Sequence, residues 1–280
     1  MPELPEVETI VRGLRDGVNG NPSILHFYIR DAQLLWDKSL AMPTKAEFLA
    51  RMAGQNITSI NRRAKFLVFQ LSEEWLLIHL RMSGDLRFEM DWPESGEKLL
   101  KHDRLVIRFA NGHALVFNDP RKFGRLWLTQ TPQDILGHLG FEPLDQSITG
   151  VVFYQKIHPS RKQIKPLLMD QALVAGLGNI YTDESLFKAQ IHPCTPAGTL
   201  SPEQADRLLQ SIRAVLNEGI KRNGASIDWV YRGGDFQNTF KVYQRNGQPC
   251  YRCGETIQRI LVGQRGTHFC PHCQPAPILL

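Results

Sequence analysis

At 280 residues the chain is long enough to bury a sizeable core and to divide into two domains. No run approaches the roughly 20 apolar residues of a membrane span, and the N-terminus lacks the apolar stretch of a secretory signal, so a soluble cytoplasmic protein is expected. The formal net charge of +5 is unevenly spread: residues 1–150 carry 18 Lys/Arg against 19 Asp/Glu, residues 151–240 carry 10 against 8, and residues 241–280 carry 5 against 1, the pattern of a polyanion-binding module attached to a neutral domain.

The chain opens Met1-Pro2-Glu3-Leu4-Pro5-Glu6. A small second residue allows the initiator methionine to be removed, which leaves Pro2 as a terminal secondary amine with a pKa of about 8, against about 10.4 for a lysine. Such an amine is partly unprotonated at neutral pH and can act as a nucleophile. Val7, Ile10, Val11 and Leu14 recur at i, i+3, i+4 and i+7 and predict an amphipathic helix, with Pro5 in its first turn. The positive end of that helix dipole opposes protonation of the amine. Glu3 offers a general acid and Glu6 a second carboxylate to tune it. Taken by themselves, the six residues also read as a plain helix start, with two prolines opening it and two glutamates favouring its first turn.

β-rich runs follow at residues 24–30, 57–71, 75–88, 104–117 and 125–129, and Asn111-Gly112 between two of them is a hairpin signal. So much strand with little helix before residue 130 predicts a sandwich or barrel. The texture then turns helical, with segments at 163–169, 180–190 and 202–222; Ser201-Pro202-Glu203 starts the last with a cap, a proline and an acidic first turn. Gly224, Gly233 and Gly234 mark residues 223–238 as a mobile loop. The expected division is residues 1–131, 132–239 and 240–280, with no internal repeat.

Four of the five cysteines form Cys250-x-x-Cys253 and Cys270-x-x-Cys273, 16 residues apart, the spacing of a zinc ribbon holding one structural Zn2+; Cys194 stands alone. Redox-active dithiols are the competing reading, and no thioredoxin-like βαβ pattern surrounds either pair. Between the knuckles, residues 257–262 and 267–269 predict two strands joined at Gly263-Gln264-Arg265-Gly266, with Arg265 projecting from the turn toward a phosphate or toward solvent.

The segment Pro2-Glu3-Leu4-Pro5-Glu6-Val7-Glu8-Thr9, the Arg62-Arg63-Ala64-Lys65 stretch, Gly176-Leu177-Gly178-Asn179-Ile180-Tyr181 and the cysteine ribbon occur in one order that resembles the bacterial formamidopyrimidine-DNA glycosylases, a family that also contains endonuclease VIII. The likeness runs from Pro2 to Cys273. It implies an α+β multidomain protein: an N-terminal β-sandwich with flanking helices, a helical helix-two-turn-helix domain and a C-terminal four-cysteine zinc ribbon. It also implies a monomeric, nucleoid-associated repair enzyme that excises oxidised purines such as 8-oxoguanine from double-stranded DNA and then nicks the strand.

On that resemblance Pro2 is the nucleophile, Glu3 and Glu6 attend it, and Lys65 is the catalytic lysine of a β-hairpin, although composition alone makes Lys65 an outward-facing strand residue. The resemblance places His79 and His102 among the DNA contacts, and Met82, Arg121 and Phe123 as the wedge filling the emptied base stack. Read alone, Met82 and Phe123 equally suit core packing. The glycines before Asn179, with Asn179 itself, match the family's phosphate grip at a helix start, and Tyr243 and Arg161 match backbone contacts. Arg161 departs from the commoner lysine, which keeps the charge and changes the contact geometry. Arg265 matches a proton donor in δ-elimination; a guanidinium donates poorly, so a phosphate anchor is the better expectation. The rival readings are an endonuclease VIII-like enzyme for oxidised pyrimidines, disfavoured by Leu4, and a zinc-ribbon DNA-binding protein without catalysis.

Overall fold

The computed structural model describes residues 1–18, 20–93, 95, 97–226 and 233–277, which form two compact units, one of residues within 1–137 together with Ser226 and Gly233, the other within 138–225 and 234–277. In the first unit the helix α1 (Leu4–Asp16) is followed by β1 (Ile29–Leu34), β2 (Leu40–Met42), α2 (Lys45–Met52), β3 (Ile57–Arg63), β4 (Phe66–Leu71), β5 (Trp75–His79), β6 (Asp85–Glu89), β7 (Asp103–Phe109), β8 (Ala114–Asn118), β9 (Arg125–Thr129) and the short α3 (Gln133–Leu136).

The strands make two sheets, ordered β1-β7-β8-β6 and β2-β9-β5-β4-β3. Their inner faces meet in one core, where Leu105, Ile107, Leu115 and Phe117 of the first sheet join Leu67, Phe69, Ile78 and Leu126 of the second. The stripe expected on α1 packs into it: Val7, Ile10, Val11 and Leu14 are all buried. Full burial of such side chains stabilises by roughly 1.5–3 kcal/mol each, so the N-terminal segment is fixed by the core beneath it.

Three details differ from the sequence expectation, each for a local reason. The run at 24–30 is not a strand throughout, because residues 24–28 wrap the end of α1: Ile24 N–H donates to Leu14 O at 3.0 Å, and His26 takes a left-handed φ of 65°. The run at 75–88 is broken into β5 and β6, which belong to different sheets. The break ends at Gly84, where an added Cβ would lie 2.6 Å from Leu80 O and 2.8 Å from the Phe117 ring. Helix α2 lay in a region read as poor in helix, although Thr44 and Glu47 carry its capping box in the sequence. Asn111-Gly112 does close a hairpin, with Gly112 at φ 85° and its N–H donating to Phe109 O at 3.1 Å.

The second unit holds α4 (Gly150–Ile157), α5 (Ile164–Leu168), α6 (Asn179–Ala189), α7 (Pro202–Lys221) and the ribbon strands β10 (Gln258–Val262) and β11 (Arg265–Phe269). Helix α7 starts with the expected cap, a reciprocal box between Ser201 and Gln204. It stops at Asn223 and Gly224, both left-handed, where Gly224 N–H donates to Gly219 O at 2.7 Å. Of the loop expected over 223–238, residues 227–232 lie outside the described residues. Residues 236–239 form a short 3₁₀ turn.

The ribbon hairpin turns on two residues, Gly263 and Gln264, both at positive φ (54° and 62°), as a type I′ turn requires. Arg265 is therefore the first residue of β11, paired with Val262, and not part of the turn itself. Among the described residues no helix is long and apolar enough to cross a membrane.

Candidate functional site

Pro2, Glu3 and Glu6 are buried at the entrance of α1. Glu3 is the N-cap, and the two glutamates form a reciprocal capping box in which Glu3 N–H donates to Glu6 Oε2 at 2.7 Å. Glu6 thus fixes the backbone that carries Pro2. The helix dipole points the first-turn amides at this same entrance.

Lys65 occupies the two-residue turn between β3 and β4, with Ala64 at φ 52°, and is only 4 % exposed. It is not the outward-facing strand lysine that composition suggested, because register puts Arg63 opposite Phe66 and leaves Ala64 and Lys65 to turn the chain. Arg62 holds this turn against α1: its Nε donates to Glu8 Oε2 at 2.9 Å and its Nη1 to Ala64 O at 3.1 Å. Burial alone would raise the Glu8 pKa, but bonds and charge from Arg12 and Arg62 outweigh it and hold the carboxyl below its usual value.

His79, at the end of β5, is buried edge-on against Phe66, 4.7 Å between ring centres. Burial first, then the charges of Arg81 and Lys65, push its pKa down to about 3. Its Nδ1 accepts the Arg81 N–H at 3.0 Å, so the neutral ring carries its proton on Nε2. Lys65 and His79, far apart in sequence, share one electrostatic neighbourhood.

Met82 and Phe123 are 41 % and 50 % exposed, which removes core packing as the account of either. They stand on two loops joined by one carboxylate. Asp119, 1 % exposed, accepts the Ser83 hydroxyl, the Arg121 N–H at 3.2 Å and the Gly124 N–H at 2.7 Å, while Ser83 Oγ also accepts the Arg121 N–H at 3.1 Å. The Arg121 guanidinium lies 5.3 Å from the centre of the Phe123 ring. His102 is half-buried beside Arg104, its Nδ1 3.4 Å from Nη2, and Arg104 Nε donates to Asp119 O at 2.9 Å. Sequence reading named the exposed residues but missed Asp119 and Ser83, which hold them; both lie inside motifs that were read only for their exposed members.

In the second unit Asn179 is the first residue of α6, and its Nδ2 donates to Gly266 O at 3.0 Å. Asn179, Tyr243, Arg259, Gly266 and His268 line a polar cleft of about 420 Å³ at that helix N-terminus. Two buried carboxylates on α6 build it. Asp183 accepts Lys165 Nζ at 2.6 Å and the His268 N–H at 2.9 Å, and Glu184 accepts the N–H groups of Lys241, Val242 and Tyr243 at 2.9, 3.0 and 2.8 Å. Burial raises the Glu184 pKa against the pull of those three donors. Sequence reading singled out none of Lys165, Asp183 and Glu184, since their role needs partners 57 to 101 residues away. Arg161 and Arg265 are exposed.

The sulfurs of Cys250, Cys253, Cys270 and Cys273 lie within 4.8 Å of one another, with Cys250–Cys273 at 4.0 Å and Cys253–Cys270 at 3.5 Å. A tetrahedral zinc site with Zn–S near 2.3 Å needs sulfur separations of about 3.8 Å, and a disulfide needs about 2.05 Å. The four cysteines fit one zinc ion, which would tie the two knuckles and so hold β10 and β11. Cys194 is half-buried and takes no part.

Three family models match successive stretches: "Formamidopyrimidine-DNA glycosylase N-terminal domain" over residues 1–126, "Formamidopyrimidine-DNA glycosylase H2TH domain" over 139–230, and "Zinc finger found in FPG and IleRS" over 247–276. Curated relatives include the formamidopyrimidine-DNA glycosylases of Chloroflexus aurantiacus, 45 % identical and covering 98 % of each chain, and of Serratia proteamaculans, 42 % identical and covering 98 % of this chain and 100 % of that one. Among solved structures, the Lactococcus lactis FPG bound to DNA containing FAPY-dG is 37 % identical, covers 98 % of this chain and all of that one, and superposes with a TM-score of 0.88. A MutM complex with DNA containing carbocyclic 8-oxo-G gives the same figures.

Proposed function

The chain belongs to the formamidopyrimidine-DNA glycosylase family, and from that premise we propose that it excises oxidised purines, 8-oxoguanine and formamidopyrimidines, from duplex DNA of the nucleoid and then cleaves the strand as an apurinic-site lyase. One observation carries the chemistry: Pro2 sits buried at the start of α1, with Glu3 and Glu6 locked beside it in a capping box. Once Met1 is removed, the Pro2 nitrogen attacks C1′ of the damaged nucleotide, the C1′–N9 bond breaks, and the base leaves with a proton. Lys65 assists that departure. Glu3 protonates the sugar ring oxygen as the ring opens, and Glu6 positions the Glu3 backbone.

The resulting iminium acidifies the C2′ hydrogen. Its removal expels the 3′ phosphate, and a second elimination expels the 5′ phosphate. No metal takes part in these steps. Zinc, when bound, supplies structure to the ribbon, and Arg265 at the head of β11 anchors phosphate. Residues 1–131 are assigned the chemistry, and residues 132–239 and 240–280 the grip on the DNA backbone through Arg161, Asn179, Tyr243 and Arg265. His79 and His102 serve the phosphates on the catalytic side, with Met82, Arg121 and Phe123 as the wedge.

Borohydride trapping tests the reading. With 8-oxoguanine duplex, reduction is expected to give a covalent adduct that maps to Pro2 in a chain lacking Met1, and Pro2→Gly to trap and nick far less. An adduct on Lys65 with Pro2 unmodified would overturn the assignment of the nucleophile. The Lactococcus lactis FPG has also been solved with DNA containing an oxidised pyrimidine, so the substrate panel includes such a lesion; preference for it over 8-oxoguanine would replace the purine reading.

A further inference from the structure

The turn that carries Arg121 and Phe123 has a third member, Lys122, which goes elsewhere. Its backbone is left-handed, φ 63°, at a residue that is not glycine. Its Nζ sits 4.0 Å from the centre of the Trp36 ring. The Trp36 backbone is held in place. Its N–H and that of Leu35 donate to Arg104 O at 3.3 and 2.8 Å, and its own carbonyl accepts the Ser39 N–H and hydroxyl at 3.0 and 2.7 Å. Arg104 is the residue that also donates to Asp119 O. Seat and turn are thus held by the same residue, the seat by the Arg104 carbonyl and the turn by its guanidinium, and Asp119 fixes the turn on both sides of Lys122 through the amides of Arg121 and Gly124.

An exposed lysine on a DNA-binding face is ordinarily read as a phosphate contact. The geometry points to a different role: we propose that Lys122 is a positioning residue, whose ammonium docked on Trp36 sets the 119–124 turn and thereby the pose of Arg121 and Phe123 in the DNA. The proposal rests on the reading of Arg121 and Phe123 as the wedge. A cation over an indole face is attractive, and here it compensates for the left-handed backbone of Lys122 while leaving the Arg121–Phe123 pair to the duplex.

The two roles differ in their salt dependence. A lysine that neutralises a phosphate contributes about 0.9 to the slope of log affinity against log salt, whereas a lysine docked on the protein contributes nothing. The experiment measures binding of the full-length zinc-loaded protein to duplex containing a stable abasic analogue from about 50 to 200 mM salt, and single-turnover excision of 8-oxoguanine opposite cytosine and opposite adenine. The variants are Lys122→Met, Trp36→Leu, their double mutant, the conservative Lys122→Arg and Trp36→Phe, and Arg121→Ala as a direct test of the wedge. Thermal melts select variants that remain folded.

Lys122→Met and Trp36→Leu are expected to keep the wild-type salt slope and to lose severalfold in excision rate and in opposite-base discrimination by the same factor. The double mutant is expected to be no worse than either single one, and the conservative variants to retain most of the activity. A slope lower by about 0.9 in Lys122→Met with Trp36→Leu unaffected would overturn the proposal. So would additive losses in the double mutant. If Arg121→Ala leaves discrimination intact, the wedge reading fails; if Arg121→Ala loses it and Trp36→Leu does not, the positioning proposal alone fails.

Discussion

At the scale of single residues, burial decides what Lys65 and His79 can do. Lys65 was legible in the sequence only through the motif around it, because the register that puts it in a buried turn depends on β3 and β4 pairing. On the proposed assignment, in which Lys65 assists departure of the base and Pro2 forms the covalent bond, loss of Lys65 affects base loss and spares elimination. Lys65→Ala is therefore expected to slow excision of 8-oxoguanine by about 100-fold, within the range of general acid–base contributions, and to slow nicking of a preformed abasic site much less; rapid-quench rates on the two substrates check it. His79 gives a pH prediction with a definite sign. Its folded pKa is lowered to about 3 from an ordinary value of 6.5. Between those values the unfolded chain binds a proton that the native state does not, so this residue's contribution falls as pH drops below 6.5, with a limiting slope of about 1.4 kcal/mol per pH unit. His79→Gln is expected to flatten that part of the stability curve, as read by urea titrations between pH 4 and 7.

At the scale of elements, the site is carried by connections more than by strands. The sequence showed that residues 75–88 were β-rich and that Met82 and Phe123 belonged to motifs, yet the break at Leu80–Gly84 and the bond between two loops 36 residues apart needed the fold. Periodicity reports which face of an element is buried, whereas a carboxylate that accepts three donors from two loops has no periodic signature. The same limit hid Asp183 and Glu184 on α6, while α1 and the start of α7, whose signals are local, were read to within a residue or two. Asp119 offers the test at this level. Removing a buried acceptor leaves the Gly124 amide and the Ser83 hydroxyl without this partner and the Arg121 amide with Ser83 Oγ alone, at a cost of roughly 2–4 kcal/mol from hydrogen bonds to a charged group. Asp119→Ala is expected to show that loss in urea unfolding together with a fall in excision. Ser83→Ala, which removes one donor to Asp119 and leaves the Arg121 amide its bond to that carboxylate, is expected to lose about 1 kcal/mol and to keep most of the activity.

At the scale of the whole molecule, the uneven charge and the two cysteine pairs led to the expectation of a separate polyanion-binding module, and what the sequence could not display is that the ribbon shares one compact unit with the helices. The ribbon bonds to α6 through Gly266 to Asn179 and the His268 N–H to Asp183, to α5 through Gly266 to Lys165, and to the segment after α6 through Gln274 Nε2 to Ile191 O at 2.9 Å, all within the second unit. Releasing zinc thus loosens more than Arg265: it frees the strand against which Asn179 is set, and the cleft at the α6 N-terminus loses a wall. The first unit has its own core, drawn from two sheets and α1. Four of the five tryptophans, Trp36, Trp75, Trp92 and Trp127, belong to it, so intrinsic fluorescence reports mainly on that unit. Chelation or Cys253→Ser is expected to lower affinity for lesion duplex at least tenfold and to reduce the salt slope, since fewer phosphates are engaged. The fluorescence-detected unfolding transition is expected to keep its midpoint. Unchanged affinity would show that the ribbon does not hold the DNA, and a collapsed fluorescence transition would show that the first unit depends on the metal for its fold.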